Sequence, residues 1–135
     1  MATQMSSSRG PASEASGLSG VSVLIVEDSW HVAKAMRSAL ENLGMRIVGL
    51  AANTAEARRL VAKQTPKLAL VDINLKKELA YGLIEELHRQ GVLVVVVSGY
   101  AVPQMPAETV AAFVQKPFSE ADLITALRAT AGRLH

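Results

Sequence analysis

Five short apolar runs rich in β-branched residues punctuate the chain: VSVLIV (21–26), RIVGLA (46–51), LALVD (68–72), VLVVVVS (92–98) and AFVQ (112–115). Most lack the apolar–polar alternation of a half-exposed strand, so they suit strands covered on both faces, as in a parallel sheet. The intervals carry the other period. From Ser29 to Leu43 the apolar residues Val32, Met36, Ala39, Leu40 and Leu43 recur at helical spacing, and Gly44 is the stop. Asn53 starts a second helix, with Glu56 three residues on as a capping box and Ala57, Leu60 and Val61 on its inner face; Pro66 closes the segment. A polar loop, 73–81, leads to a third helix over Leu83 to Gln90, stopped by Gly91. Gly99, Pro103 and Pro106 leave residues 99–110 room for one or two helical turns at most. Ser119 caps a last helix with Leu123, Ile124, Leu127 and Leu134 inward.

Strands alternating with helices predict a doubly wound α/β fold with a five-stranded parallel sheet. Right-handed crossovers then gather the strand carboxyl ends on one edge, where such folds bind their ligands. Residues 1–20 are mostly Ser, Gly, Ala and Thr. They offer too little apolar surface to offset ordering entropy, and are expected to form a disordered tail before one domain over 21–135.

Composition narrows the function classes. The 135 residues suffice for one core and hardly for two. Absence of cysteine excludes disulfides, thiolate metal sites and sulfur redox chemistry. A net charge of +2 with scattered Lys and Arg, and only one Trp, two Tyr and two Phe, argues against a nucleic-acid surface. The longest apolar run, Val92 to Val97, is far short of a membrane span, and the first residues do not read as a secretion signal. A cytoplasmic protein is expected.

Four of the five strands finish in polar residues: Glu27 and Asp28, Asp72, Ser98, and Lys116. On the expected sheet these meet in one crevice. Three carboxylates together repel unless a cation sits among them, and oxygen ligands are what Mg²⁺ prefers. A lysine and a hydroxyl near Asp72 would bind the remaining oxygens of a phosphoryl group, and phosphoryl transfer needs mostly positioning and charge neutralisation. Asp72 as nucleophile would form an acyl phosphate. Simpler readings exist for each residue alone: Glu27-Asp28 as a capping pair, Asp72 and Ser98-Gly99 as turn formers, Phe113 as core. His31 and His88 read as surface residues, His135 as a loose terminus, and Trp30 as a half-exposed neighbour of the acids.

In order and context, VLIVED (23–28), LALVDINL (68–75), VVVVSGY (94–100) and FVQKPF (113–118) resemble the motifs of response-regulator receiver domains. The resemblance covers about residues 21–132. It implies the flavodoxin-like receiver fold with strand order 2-1-3-4-5, here with a shortened fourth helix. It assigns Asp72 as phospho-acceptor, Asp28 as a direct Mg²⁺ ligand, Glu27 as a ligand through water, and the Asn74 backbone carbonyl as a further ligand. Ser98 and Lys116 would contact the phosphoryl group, the Lys116-Pro117 bond would be cis, and Phe113 falls at the family's switch aromatic.

Lys76 stands where the family usually has proline, and Gly82 comes late, so the loop after Asp72 is longer than usual. The combination of DINL, a long loop and SGY is similar to a subgroup of single-domain receivers common among alphaproteobacteria, which often work with HWE-type or related histidine kinases. The implied role is a single-domain response regulator. It would be phosphorylated by a histidine kinase or phosphotransfer protein and would signal by binding a downstream protein or by draining phosphate. It would be a monomer or weak dimer, and catalyse only its own phosphorylation and dephosphorylation. The alternative is a pseudo-receiver scaffold without phosphoryl turnover. A phosphohydrolase of the haloacid dehalogenase type would need an acid two residues after the nucleophile, where Asn74 stands. A flavin site lacks a phosphate-cradling loop after the first strand.

Overall fold

The computed structural model describes residues 17–99 and 105–134. Its main sheet has the strands β1 (Ser22–Val26), β2 (Arg46–Ala51), β3 (Leu68–Asp72), β6 (Leu93–Ser98) and β7 (Ala112–Gln115). All neighbours pair in parallel, in the order β2-β1-β3-β6-β7. This is the expected doubly wound sheet, its edge strands β2 and β7 less covered than the three between them.

Strand periodicity divides the core in two. Val23 and Ile25 of β1, Leu68 and Leu70 of β3, and Val95 and Val97 of β6 face one layer. There they pack on helix α1 (Trp30–Asn42) through Met36, Ala39 and Leu40, and on α4 (Glu120–Thr130) through Leu123 and Leu127. Leu24, Val26, Ala69, Val71, Val94 and Val96 face the opposite layer, against α2 (Thr54–Lys63) and α3 (Tyr81–Arg89). Each fully buried Val or Leu contributes roughly 1.5–3 kcal/mol relative to exposure, which is why the strands read as unbroken apolar runs.

Helix ends follow local chemistry. Ser29, Asn53 and Ser119 cap α1, α2 and α4, and Ser119 closes a full capping box with Asp122. Glu56 departs slightly from the expected box: its carboxylate takes the Ala52 N–H at 2.7 Å instead of the N-cap's own. Helices α1 and α3 stop alike. Gly44 and Gly91 adopt φ of +82° and +83°, and the next residues, Met45 and Val92, donate back to the Leu40 and Leu87 carbonyls.

Three expectations are corrected. Residues 17–20 do not belong to a loose tail: Leu18 is fully buried among Val21, Met36 and Leu43, and the Gly20 N–H donates to the Gly44 carbonyl at 2.7 Å. Burial of one leucine anchors this short stretch; residues 1–16 lie outside the described residues. The loop from Ile73 to Tyr81 is not simply polar. It holds a hairpin of β4 (Asn74–Leu75) and β5 (Glu78–Leu79), with Ile73, Leu75 and Ala80 buried. Helix α3 then starts at Tyr81, ahead of the expected Leu83. In the fourth crossover one short 3₁₀ turn, Ala107–Thr109, is present among the described residues; residues 100–104, including Tyr100, lie outside them.

Candidate functional site at the strand ends

Because every strand of the main sheet runs the same way, its carboxyl ends converge on one edge. The register brings Val26 beside Val71, Asp72 beside Val97, and Ser98 beside Gln115. Glu27 and Asp28 follow β1, Asp72 and Ser98 end β3 and β6, and Lys116 follows β7. Carboxylate oxygens of Glu27, Asp28 and Asp72 lie within 4.8 Å of one another. Lys116 Nζ is 2.8 Å from Asp72 Oδ2 and 3.2 Å from Glu27 Oε1.

Each acid is oriented by a backbone amide. The N–H of Ser29 donates to Glu27 Oε2 at 3.0 Å, that of Asn74 to Asp72 Oδ1 at 3.0 Å, and that of Lys76 to Asp28 Oδ2 at 2.7 Å. Asp72 and Glu27 are nearly fully buried, whereas Asp28 is half-buried. Burial pushes the Glu27 carboxyl up to about 7; the Ser29 hydrogen bond and Lys116 oppose this, and the Asp72 charge adds to it. Burial alone would lower the Lys116 ammonium. The Asp72 hydrogen bond and the two nearby acids outweigh it and hold Lys116 above the ordinary lysine value.

The donor set fits a hard divalent cation. Three carboxylates gather around one lysine that pairs with two of them, and the buried Glu27 Oε1 meets the Lys116 ammonium at 3.2 Å only by sharing it with Asp72. Three clustered acids with one ammonium between them are costly unless a further cation compensates them, and an all-oxygen set matches Mg²⁺ chemistry.

Ser98 is buried at the end of β6, and its carbonyl accepts the Lys116 N–H at 2.7 Å. The Lys116-Pro117 peptide is cis, as the resemblance implied. Asn74 lies beside Asp72 with an exposed side chain. Phe113 is on β7 opposite Val96, half-buried with Val110 and Met105 against the α2–α3 layer. Trp30 is 61% exposed, more than expected, with Lys34 Nζ 5.5 Å from its ring centre. His31 and His88 are exposed. His31 lines a groove of about 540 Å³ with Val32, Ala35, Lys116, Pro117 and Phe118.

Sequence reasoning missed the amides that hold the acids, above all that of Lys76. It also missed Glu78, whose carboxylate accepts both the N–H and the hydroxyl of Thr54 at 2.9 and 2.7 Å. Those bonds hold Glu78 below the usual carboxylate range. No residue type in the loop announces them; only the apolar Leu75 within LKKEL hinted at a folded segment.

Residues 23–128 match the model of the response regulator receiver domain. The chain belongs to that family. Among solved receivers it is similar to the REC domain of the PhyR response regulator of Erythrobacter litoralis, with 30% identity and a TM-score of 0.71 over 81% of this chain and 88% of that one. A CheY-like receiver domain protein from Methanospirillum hungatei superposes with a TM-score of 0.76 at 25% identity, covering 86% and 97% of the two chains. A stretch of 53 residues is 40% identical to protein-glutamate methylesterase/protein-glutamine glutaminase 3 of Hahella chejuensis, 39% of this chain but 15% of that protein. The chain thus spans a small part of the length of this curated relative. Among the described residues, no helix of this receiver is long and apolar enough to cross a membrane.

Proposed function

We propose that this receiver accepts a phosphoryl group onto Asp72 from a histidine kinase or phosphotransfer protein in a Mg²⁺-dependent reaction, and signals through its own surface. The observation that carries the reading is the buried Asp72 carboxylate, bonded to Lys116 at 2.8 Å within a three-acid cluster that lacks enough positive charge of its own.

Asp72 attacks the phosphorus of the donor: a carboxylate oxygen–phosphorus bond forms, the bond from phosphorus to the donor nitrogen breaks, and the leaving imidazole takes up a proton. Lys116, now paired with Asp72 Oδ2, neutralises the incoming phosphoryl oxygens, and the Ser98 hydroxyl donates to one of them. Asp28, Asp72, the Asn74 carbonyl and, through water, Glu27 would hold the ion. When bound, Mg²⁺ supplies the charge neutralisation that an acid cluster needs to receive a phosphoryl group. The chain acts on no second substrate in this reading, and catalyses only its own phosphorylation and dephosphorylation. Phe113 would be the switch aromatic that senses Ser98, and a downstream protein the reader of the altered surface.

Incubation with Mg²⁺ and acetyl phosphate should add the mass of one phosphoryl group, absent in Asp72→Ala. A protein that takes up none from acetyl phosphate or from any kinase of a panel would contradict the reading. The alternative, a scaffold without turnover, is favoured by the hairpin that replaces the family's usual loop after Asp72. Beryllofluoride with Mg²⁺ separates the two: a working site shows NMR shifts around Asp72, Ser98 and Lys116, a scaffold none.

A further inference from the structure

The hairpin after Asp72 is ill suited to holding its own shape. Each strand has two residues, with Asn74 paired to Leu79 and Leu75 to Glu78, and such ribbons are marginal alone in water. Its turn is Lys76-Lys77, two like charges, and neither lysine has the positive φ that favoured two-residue hairpin turns require. Yet this hairpin supplies the Lys76 N–H that fixes Asp28 Oδ2 at 2.7 Å, and its first residue supplies the Asn74 N–H that fixes Asp72 Oδ1. Its placement must come from outside.

Three ties provide it. Leu75 is buried in the α2–α3 layer, and the Ala80 N–H closes the base on the Ile73 carbonyl at 2.8 Å. The third tie is directional. Glu78 reaches the first turn of α2 and takes the Thr54 N–H at 2.9 Å and the Thr54 hydroxyl at 2.7 Å, while Arg58 Nη1 donates to the same hydroxyl oxygen at 3.3 Å. The first turn of a helix leaves backbone N–H groups without partners and favours a carboxylate. Glu78 meets both conditions from another part of the chain.

We propose that Glu78 and Thr54 are positioning residues of the acidic site. Their paired hydrogen bonds moor the hairpin so that the Lys76 amide and the Asn74 peptide hold Asp28 and Asp72 in the arrangement that takes a divalent cation. Neither residue touches the cation or the phosphoryl group. The inference rests on the phospho-acceptor reading for the identity of the cation, and the mooring itself has a readout without metal.

The test compares Glu78→Ala, Thr54→Val, their double variant and Thr54→Ser with the parent chain. Mg²⁺ affinity, followed by NMR titration, should fall roughly tenfold in Glu78→Ala and in Thr54→Val, the usual scale for groups that orient metal ligands. The double variant should be no weaker than the worse single one, and Thr54→Ser, which keeps the hydroxyl and the N–H, should bind as the parent does. In EDTA the Lys76 amide proton should resonate downfield and exchange slowly in the parent and Thr54→Ser, and lose both properties in Glu78→Ala. A Glu78→Ala protein that melts earlier but keeps its Mg²⁺ affinity and its Lys76 amide signature would overturn the proposal, leaving a merely structural contact. If the parent itself binds no Mg²⁺, the phospho-acceptor reading fails, and with it the purpose assigned to the mooring.

Discussion

The two sides of Asp72 are held in different ways. Toward the sheet, Glu27, Ser98 and Lys116 sit at the ends of β1, β6 and β7, fixed by parallel strands whose side chains fill both cores. Toward solvent, Asn74 and Lys76 belong to a hairpin of two-residue strands, tied down by one buried leucine and a few hydrogen bonds. The sheet side places charge through the fold itself. The hairpin side adjusts that charge through contacts that one substitution can remove.

The largest effect expected on the sheet side is chemical. Asp72→Asn should abolish phosphoryl uptake while the fold, judged by circular dichroism, persists. Lys116→Met leaves Glu27 and Asp72 facing each other without their cation, so it should also lower metal-free stability. Breaking fully buried pairs costs about 3–5 kcal/mol, and with Lys116 one-third exposed the expected loss in urea titration is about 3 kcal/mol or less. Mg²⁺ should recover part of it. On the hairpin side, Leu75→Ala should cost about 2–3 kcal/mol, the low end of the range for buried leucines because the hairpin can relax outward. It should weaken Mg²⁺ binding as well, which a leucine of the sheet layers such as Leu70 should not.

A pH series sharpens the contrast further. Between its ordinary 4.5 and about 7, Glu27 keeps a proton in the folded protein that the unfolded chain has released. The folded state binds more protons there, so metal-free stability should fall as pH rises through that window. Saturating Mg²⁺ should remove the fall, Glu27→Gln should flatten it, and the midpoint of urea unfolding against pH measures both. The smallest effect belongs to Glu86→Ala, which removes the surface pair with Arg58 at 2.7 Å between α2 and α3. It should cost no more than about 1 kcal/mol and leave Mg²⁺ binding unchanged.

What the sequence revealed divides along the same line. The strands were legible because burial on both faces writes unbroken runs such as VLIV and LVVVV, and polar residues at the ends of such runs stand out. The hairpin was not, since two-residue strands are too short to show a period and Lys76-Lys77 carries no glycine or asparagine to announce a turn. Helix α3 begins at Tyr81 behind Ala80, which offers no side-chain cap, and Gly82 in its first turn reads as a breaker, which hid its true start. Leu18 was hidden too: one leucine among serines and glycines looks like a tail until it is seen fully buried in the same core cluster as Val21 and Leu43.

The most direct measurement is to locate the phosphoryl group itself. After incubation with Mg²⁺ and acetyl phosphate, borohydride reduction converts an acyl phosphate at an aspartate to homoserine, which mass mapping of the digested chain can place. The account predicts conversion at Asp72 alone, abolished by EDTA and greatly reduced in Lys116→Met. Conversion at another carboxylate, or none in the presence of Mg²⁺, would contradict it.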